Sequence, residues 1–332
     1  MGNDNYELKE IINLETCVKG KPDDIFICWG SPESRCKGSV LKLDVNYSAE
    51  NCLILRYSGH KNIDREKNIK EIESRLKSER KIKPVRIDED APIPQLRDLC
   101  ENIEHLVSGK KEPTITVDIS TPIKWHLLML LKFLDTRNLI QYIRFIYTEP
   151  KDYVTELFQS LSFGIKEIFP IPLFYGNYDF SKGDLLVLML GYEGNRAMAL
   201  YDDIDPSECL LLVPDPPYHP EWKGRTEAMN QEIIGTAGAK KIKYIESRNP
   251  VKVAFQLSEI LSLSKYKNYN HIISPLGTKP QTLGLYSYLS MCSVNTIVEY
   301  GAPLRHNDLF YSTGIGKTWE LPFKRSINKH LQ

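Results

Sequence analysis

Short apolar runs alternate with amphipathic helical patterns along most of this chain, and this alternation limits the fold more than any other feature. Residues 25–29 and 53–57 have the composition of buried strands, and the segment after them carries Ile69, Ile72 and Leu76 on one helical face. Strands that alternate with helices in this way are typical of parallel sheets covered on both faces. The sequence therefore predicts an α/β fold with mainly parallel sheets.

The same order of elements occurs twice. Apolar strand patterns are found at residues 25–29, 53–57, 84–88, 114–117 and 142–147, and again at 184–190, 208–213, 241–245, 271–274 and 296–300. We therefore predict a polar N-terminal arm at residues 1–22, a first Rossmann-like half at 23–150, a connector at 151–182 and a second Rossmann-like half at 183–325. An internal duplication would explain the repetition. The alternative is that any doubly wound fold produces such similarity.

The segment 271–284 contains the most specific local pattern in the chain. A short apolar strand is followed by a turn that carries Gly277, Thr278 and Lys279, and Pro280 suits the first position of a helix. A helix N-terminus offers unpaired N–H groups and a partial positive charge, to which Thr278 adds a hydroxyl and Lys279 a cation. The sequence therefore predicts that this turn binds an anion such as a phosphate.

Three further cations are expected at the same kind of position. Ligands of open parallel sheets bind beyond the carboxyl ends of the strands, where the strand order reverses. Arg35 and Arg196 follow the first strand of each half, and Lys124 follows the fourth strand of the first half. We predict that these cations help to bind a nucleotide or another phosphorylated small ligand. The aromatic side chains expected to stack on a base are Tyr192, Tyr218 and Trp222.

The sequence contains no established catalytic motif. Residues 191–196 lack the complete glycine fingerprint of dinucleotide-binding folds, and the segment 313–318 lacks the first glycine of a P-loop. Asp118, Glu193 and Asp215 lie at or near strand ends and could act as a general base or bind Mg²⁺. The alternative to a binding protein is therefore a phosphoesterase or an enzyme that cleaves nucleosides or nucleotides. For Asp118, capping of the following helix is a further alternative.

The residue counts and the overall composition of the chain argue against several classes of protein. Lysine plus arginine number 43, as do aspartate plus glutamate, which argues against an extended nucleic-acid-binding surface. The seven cysteines are scattered without zinc spacing, which fits a reducing cytoplasm and predicts no metal site of that kind. The polar start of the chain is unlike a signal peptide, and no apolar run is long enough to span a bilayer. A cytoplasmic protein without a membrane partner is therefore expected.

The sequence Ser274-Pro-Leu-Gly-Thr-Lys279, placed after a strand and before a helix, resembles the signature turn of CARF and CARF-like Rossmannoid domains. In that family the turn contacts the phosphate–ribose backbone of a cyclic oligoadenylate or a related nucleotide, usually across a two-fold axis. The family occurs in prokaryotic antiviral defence. The resemblance implies a nucleotide sensor or regulatory subunit, with an effector protein or a second copy of the chain as partner. The first half departs from the pattern, because its turn at 120–124 lacks the glycine.

Overall fold

The computed structural model describes residues 6–58, 62–153, 161–291, 296–306 and 312–323. Within these ranges the strands are β1 Lys9–Glu10, β2 Asp23–Gly30, β3 Ala49–Ser58, β4 Ser78–Asp88, β5 Ile115–Asp118, β6 Ile143–Thr148, β7 Asp152–Tyr153, β8 Ser162–Pro170, β9 Gly183–Met189, β10 Glu208–Pro214, β11 Ile242–Ile245, β12 Tyr269–Pro275, β13 Thr296–His306, β14 Ser312–Thr313 and β15 Thr318–Leu321. The α-helices are α1 Ile63–Arg75, α2 Ile93–Leu106, α3 Lys124–Thr136, α4 Gly194–Ile204, α5 Arg225–Met229, α6 Gln231–Ala237, α7 Pro250–Leu261 and α8 Lys279–Met291.

The chain forms two compact units, and each takes residues from two separate parts of the sequence. The first unit contains residues 1–153 and 312–322, and the second contains 154–311 and 323–332. The predicted boundaries are therefore wrong at two places. Residues 312–322 belong to the first unit and not to the second half, and the predicted connector contains β8, which is a strand of the second sheet.

The sheet of the first unit has the strand order β1-β15-β6-β5-β2-β3-β4. Strands β2 to β6 are parallel, whereas β15 is antiparallel to β6 and β1 is antiparallel to β15. The strand order reverses between β2 and β5, which is where a ligand is expected in such a sheet. The predicted N-terminal arm is not a separate element, because β1 pairs with this sheet and Ile11 and Leu14 are buried in its core.

The sheet of the second unit has the strand order β11-β10-β9-β12-β13-β8. Strands β9 to β13 are parallel, and β8 is antiparallel to β13. The strand order reverses between β9 and β12. The predicted α/β fold with mainly parallel sheets is therefore confirmed, with the doubly wound order of a Rossmann-like fold in both units. The internal duplication stays a prediction, although the five parallel strands have the same order in each unit.

Apolar side chains on both faces of the strands explain why these runs form parallel sheets. All eight residues of β2 are buried, as expected for a strand with helices on both sides. On one face of the second sheet, Leu186, Leu188 and Leu190 pack with Ala197 and Leu200 of α4. This packing fixes α4 directly after β9, and so it fixes the turn that lies between them at the carboxyl edge of the sheet.

Asparagine side chains cap the N-termini of α1 and α7 and so define where these helices begin. Asn62 caps α1 by accepting a hydrogen bond from the N–H of Arg65 at 3.0 Å. Asn249 caps α7 by accepting bonds from the N–H groups of the second and third residues of that helix. Amide oxygens at this position satisfy N–H groups that have no partner within the helix.

Candidate functional site

The carboxyl edge of the second sheet brings the turns after β9 and β12 into close contact. A side-chain carbon at Gly191 would lie 2.4 Å from the carbonyl oxygen of Leu276, so only glycine fits there. Gly277 follows Leu276 directly, and Tyr192 follows Gly191. The strand order reverses between these two strands. The turn predicted to bind a phosphate therefore lies at the position where doubly wound sheets bind their ligands.

Thr278 directly precedes α8, and its polar groups have partners within the protein. Its N–H donates to Oε1 of Gln281 at 2.9 Å, and its hydroxyl oxygen accepts from the N–H of Gln281 at 3.2 Å. The same hydroxyl donates to the carbonyl of Ser247 at 2.7 Å. This reciprocal pair is a capping box, and the spacing of Thr278 and Gln281 was the sequence signal for it. Thr278 therefore shapes the turn, and the cation beside it is the half-buried Lys279.

Aromatic rings and arginines form a cluster on the loops beside this turn. The guanidinium of Arg225 lies 5.0 Å from the ring centre of Tyr192 and 6.0 Å from that of Trp222. The guanidinium of Arg248 lies 4.8 Å from the ring centre of Tyr218, and the rings of Tyr218 and Trp222 are 6.5 Å apart. We call these five residues the aromatic–arginine cluster. Its rings were predicted from the sequence, whereas its two arginines were not.

Hydrogen bonds between loops hold the cluster and the turn in one arrangement. Arg248 donates to the carbonyl of Tyr218 at 2.6 Å, which joins the loop after β11 to the loop after β10. Gln281 donates to the carbonyl of Glu246 at 2.9 Å, which joins the start of α8 to the loop after β11. Asp215 is exposed on the loop after β10. Three successive loops at the carboxyl edge are therefore fixed relative to one another before any ligand binds.

Arg196 and Glu193 pair with each other inside the second unit. The Nη1 atom of Arg196 lies 2.6 Å from Oε2 of Glu193, and the two side chains are 3% and 7% exposed. Arg196 also donates through Nε to the carbonyl of Gly301 at 2.9 Å and lies 5.0 Å from the ring centre of Tyr300. Ser162 donates to the other carboxylate oxygen at 2.6 Å. The predicted ligand cation and the candidate base therefore neutralise each other within the protein.

Arg35 has a closely similar environment in the first unit. Its Nε lies 2.8 Å from a carboxylate oxygen of Glu33, and its Nη1 donates to the carbonyl of Thr148 at 3.3 Å. The guanidinium lies 5.9 Å from the ring centre of Tyr147, and Ser312 donates to the carboxylate of Glu33. In each unit an arginine thus binds a nearby glutamate, approaches a tyrosine of the fifth parallel strand and bonds the carbonyl that follows that tyrosine. A serine hydroxyl binds each glutamate.

Asp118 is enclosed at the carboxyl end of β5. Only 2% of the residue is exposed, and its carboxylate accepts bonds from the hydroxyl of Ser39 and from the N–H of Ser120. Burial raises the pKa of this carboxyl group. The predicted helix cap is wrong, because α3 starts after Ile123 without a side-chain cap. Lys124 is the first residue of α3 and is half-buried.

Within the described ranges, no group of three or more histidine, cysteine, aspartate or glutamate side chains is placed to hold a metal ion. No helix in the described part of the chain has the length and apolar character needed to cross a bilayer.

Comparison with known proteins gives no assignment. No protein-family model matches the chain, and a search of curated proteins gives no match. What the site can bind is therefore inferred from its own geometry and charge.

Proposed function

We propose that the chain binds a nucleotide-type phosphorylated ligand at the carboxyl edge of its second sheet and acts as a sensor or regulatory subunit. The observation that carries this proposal is the contact between the turns at Gly191 and Leu276, which places Lys279 and the start of α8 where the strand order reverses. Lysine is a common point-charge ligand of phosphate, and the helix dipole adds to its attraction.

Two neighbouring cations support an anionic ligand. Arg225 is the first residue of α5, which follows β10, and Arg248 lies on the loop after β11. Hydrogen bonds join the loops after β10 and β11 to the turn that carries Lys279. Three cationic side chains on adjoining loops favour phosphate over a neutral ligand. Arg35, Arg196 and Lys124 are not needed for this site, since the first two are buried in ion pairs and the third belongs to the first unit.

The biological setting follows from the resemblance of residues 274–279 to the CARF signature turn. We propose a role in prokaryotic antiviral defence, with ligand binding passed to an effector protein or to a second copy of the chain. A reducing cytoplasm suits this role, because the cysteines within the described ranges are free thiols. Light scattering with and without the nucleotide would detect a ligand-dependent homodimer.

Replacement of Lys279 tests the site. A charge-assisted hydrogen bond contributes about 1.5–3 kcal/mol, so Lys279→Ala should weaken binding about tenfold or more. Calorimetric titration with AMP, ATP and linear or cyclic oligoadenylates measures this loss. The matched control is Lys243→Ala, which removes an exposed lysine of β11. If the strongest nucleotide binds equally well to the wild type and to Lys279→Ala, the site assignment is wrong.

If the chain is an enzyme, Asp215 is the candidate catalytic residue that the geometry favours. Asp118 and Glu193 are buried and engaged in internal bonds, whereas Asp215 is exposed on a loop of the cluster. A phosphoesterase or nucleotide-cleaving enzyme would use Asp215 as a general base or as a ligand of Mg²⁺. Incubation of nucleotides with and without magnesium, followed by chromatography, tests for turnover. Turnover that disappears in Asp215→Asn, with binding retained, would favour the enzyme over the sensor.

A further inference from the structure

Large apolar side chains protrude from the loop that connects β8 to β9, which contains residues 171–182. Phe180 is 93% exposed, and Tyr175 and Tyr178 are exposed as well. The rings of Tyr178 and Phe180 lie 5.0 Å apart. This loop lies at the amino end of β9, the edge of the sheet opposite to the proposed ligand site. The ligand site therefore does not explain why these rings face water.

Internal contacts hold this loop in a defined conformation. The carbonyl of Phe174 accepts a hydrogen bond from the N–H of Val298 at 3.0 Å, and the buried ring of Phe174 lies edge-on to Tyr286. The N–H of Asp179 donates to Oδ1 of Asn270 at 3.0 Å, and Nδ2 of Asn270 donates to the carbonyl of Asp179 at 3.0 Å. The loop therefore keeps its apolar side chains in water, at a cost in free energy that burial against a partner would recover.

Exposed lysines stand on the neighbouring loop. The loop before β12 lies beside the loop before β9, because these two strands pair. Lys265 and Lys267 of that loop are exposed, as is Leu263. Asp179 and Lys182 approach each other within 3.4 Å, so their charges cancel, and the two loops together carry a net positive charge. We call the following six residues the amino-edge patch: Tyr175, Tyr178, Phe180, Leu263, Lys265 and Lys267.

A lipid bilayer suits these properties better than a second protein does. A protein partner needs a pocket that matches each protruding side chain, whereas lipids rearrange around it. Phenylalanine and tyrosine rings lie favourably at the boundary between headgroups and acyl chains. Lysine side chains reach the headgroups through their flexible stems, and anionic lipids attract their charge. We propose that the amino-edge patch binds the surface of an anionic lipid bilayer, with Phe180 inserted beneath the headgroups and Lys265 and Lys267 beside them.

This mode of binding needs no segment that crosses the membrane. The expectation of no membrane partner was based on the absence of a spanning run and of a signal peptide, and attachment through surface loops requires neither. The parallel strands of the second unit would point away from the lipid, so that the carboxyl edge faces water. β9 is seven residues long, which separates the two edges by about 23 Å. The proposal is independent of the proposed function, because no residue of the ligand turn contributes to the patch.

Co-sedimentation of the full chain with vesicles tests the proposal. One set of vesicles contains phosphatidylcholine alone, and the other contains about 30% phosphatidylserine in addition. We expect binding to the anionic vesicles, weaker binding to the neutral ones, and a loss of binding as salt is added, because salt screens the lysines. Phe180→Ser should weaken binding about tenfold. The double variant Lys265→Gln with Lys267→Gln should weaken it about tenfold or more.

Matched variants in α1 serve as controls. Ile63→Ser removes an apolar side chain that is 86% exposed, and Lys67→Gln with Lys70→Gln removes two exposed lysines. Neither variant should change binding to anionic vesicles. Phe180→Trp adds a spectroscopic readout, because the emission of an inserted indole should shift to shorter wavelength when anionic vesicles are added. Melting curves show that each variant is folded.

Two results would overturn the proposal. The first is that the folded wild type does not bind anionic vesicles at low salt, or that the Phe180 and lysine variants bind them as well as the wild type does. The second is that Phe180→Ser abolishes self-association seen by light scattering without changing vesicle binding, which would make the patch a protein interface. Nucleotide binding at Lys279 is measured without vesicles, so either result leaves the proposed function standing.

Discussion

Replacement of Arg196 by methionine should strongly destabilise the second unit. Arg196 and Glu193 form an ion pair at 2.6 Å with side-chain exposures of 3% and 7%, and the guanidinium also donates to the carbonyl of Gly301. Methionine fills a similar volume but leaves the buried carboxylate without its counter-charge. Breaking a buried pair in this way costs about 3–5 kcal/mol.

Thermal unfolding followed by circular dichroism measures the effect. In a domain of this size a loss of 3–5 kcal/mol lowers Tm by about 6–20 °C. The double variant Glu193→Gln with Arg196→Met should recover part of this loss, because no buried charge remains. The control is Arg97→Met: Arg97 is 57% exposed and lies 3.8 Å from the exposed Asp98, so its removal should cost about 0–1 kcal/mol.

The opposite result would support the prediction made from the sequence. If Arg196→Met unfolds at the wild-type temperature but no longer binds a nucleotide, then Arg196 belongs to the ligand site. The structural reasoning about the buried pair would then be refuted. An unchanged affinity per folded molecule, together with a lowered Tm, agrees with the internal role.

Two further predictions concern backbone contact and pH. Gly191→Ala should lower the free energy of unfolding by about 1–3 kcal/mol and weaken ligand binding, because the added carbon would meet the carbonyl oxygen of Leu276. Gly235→Ala is the control, because Gly235 lies in α6 and a carbon added there would have no neighbouring atom within 4 Å. This variant should stabilise the protein by about 0.5–1 kcal/mol, as measured by urea unfolding. Burial lowers the pKa of His126 from 6.5 to about 3, so the unfolded state binds more protons between these values and stability falls as the pH falls. Below pH 6 the loss in the free energy of unfolding approaches about 1.4 kcal/mol per pH unit. If His126→Gln kept the full pH dependence of stability, His126 would not be its source.

The local patterns of the sequence were sufficient to predict the parallel sheets and the position of the turn between β12 and α8. The spacing of apolar residues and the local composition identify a strand such as β12 and the helix that begins at Lys279. Such elements can be predicted because their signals come from residues close together in the sequence. The capping box could also have been predicted, since Thr278 and Gln281 have the required spacing. The roles of charged residues in the turns were harder to predict. Glu193 lies three residues before Arg196, and this spacing was the sequence signal that the arginine forms an ion pair within the protein.

Long-range pairing could not be predicted from one sequence. Thr318 to Leu321 pair with Phe145 to Thr148, far away in the chain, and nothing local to either segment specifies the other. Strand β8 was included in the predicted connector because residues 151–182 begin with a helical pattern and are then rich in Pro, Phe, Tyr and Gly. In the structure most residues of β8 are exposed or half-buried. Such an edge strand gains its stability from its neighbour β13, so its own composition indicates it only weakly.

The antiparallel strands β8 and β15 are each supplied by a chain segment that has crossed from the other unit. After β7 the chain leaves the first unit and supplies β8 to the second, and after β13 it leaves the second unit and supplies β14 and β15 to the first. A protease cut within the loop 171–182 would therefore give two fragments that each hold a strand of the other's sheet, and these fragments should stay together in native buffer.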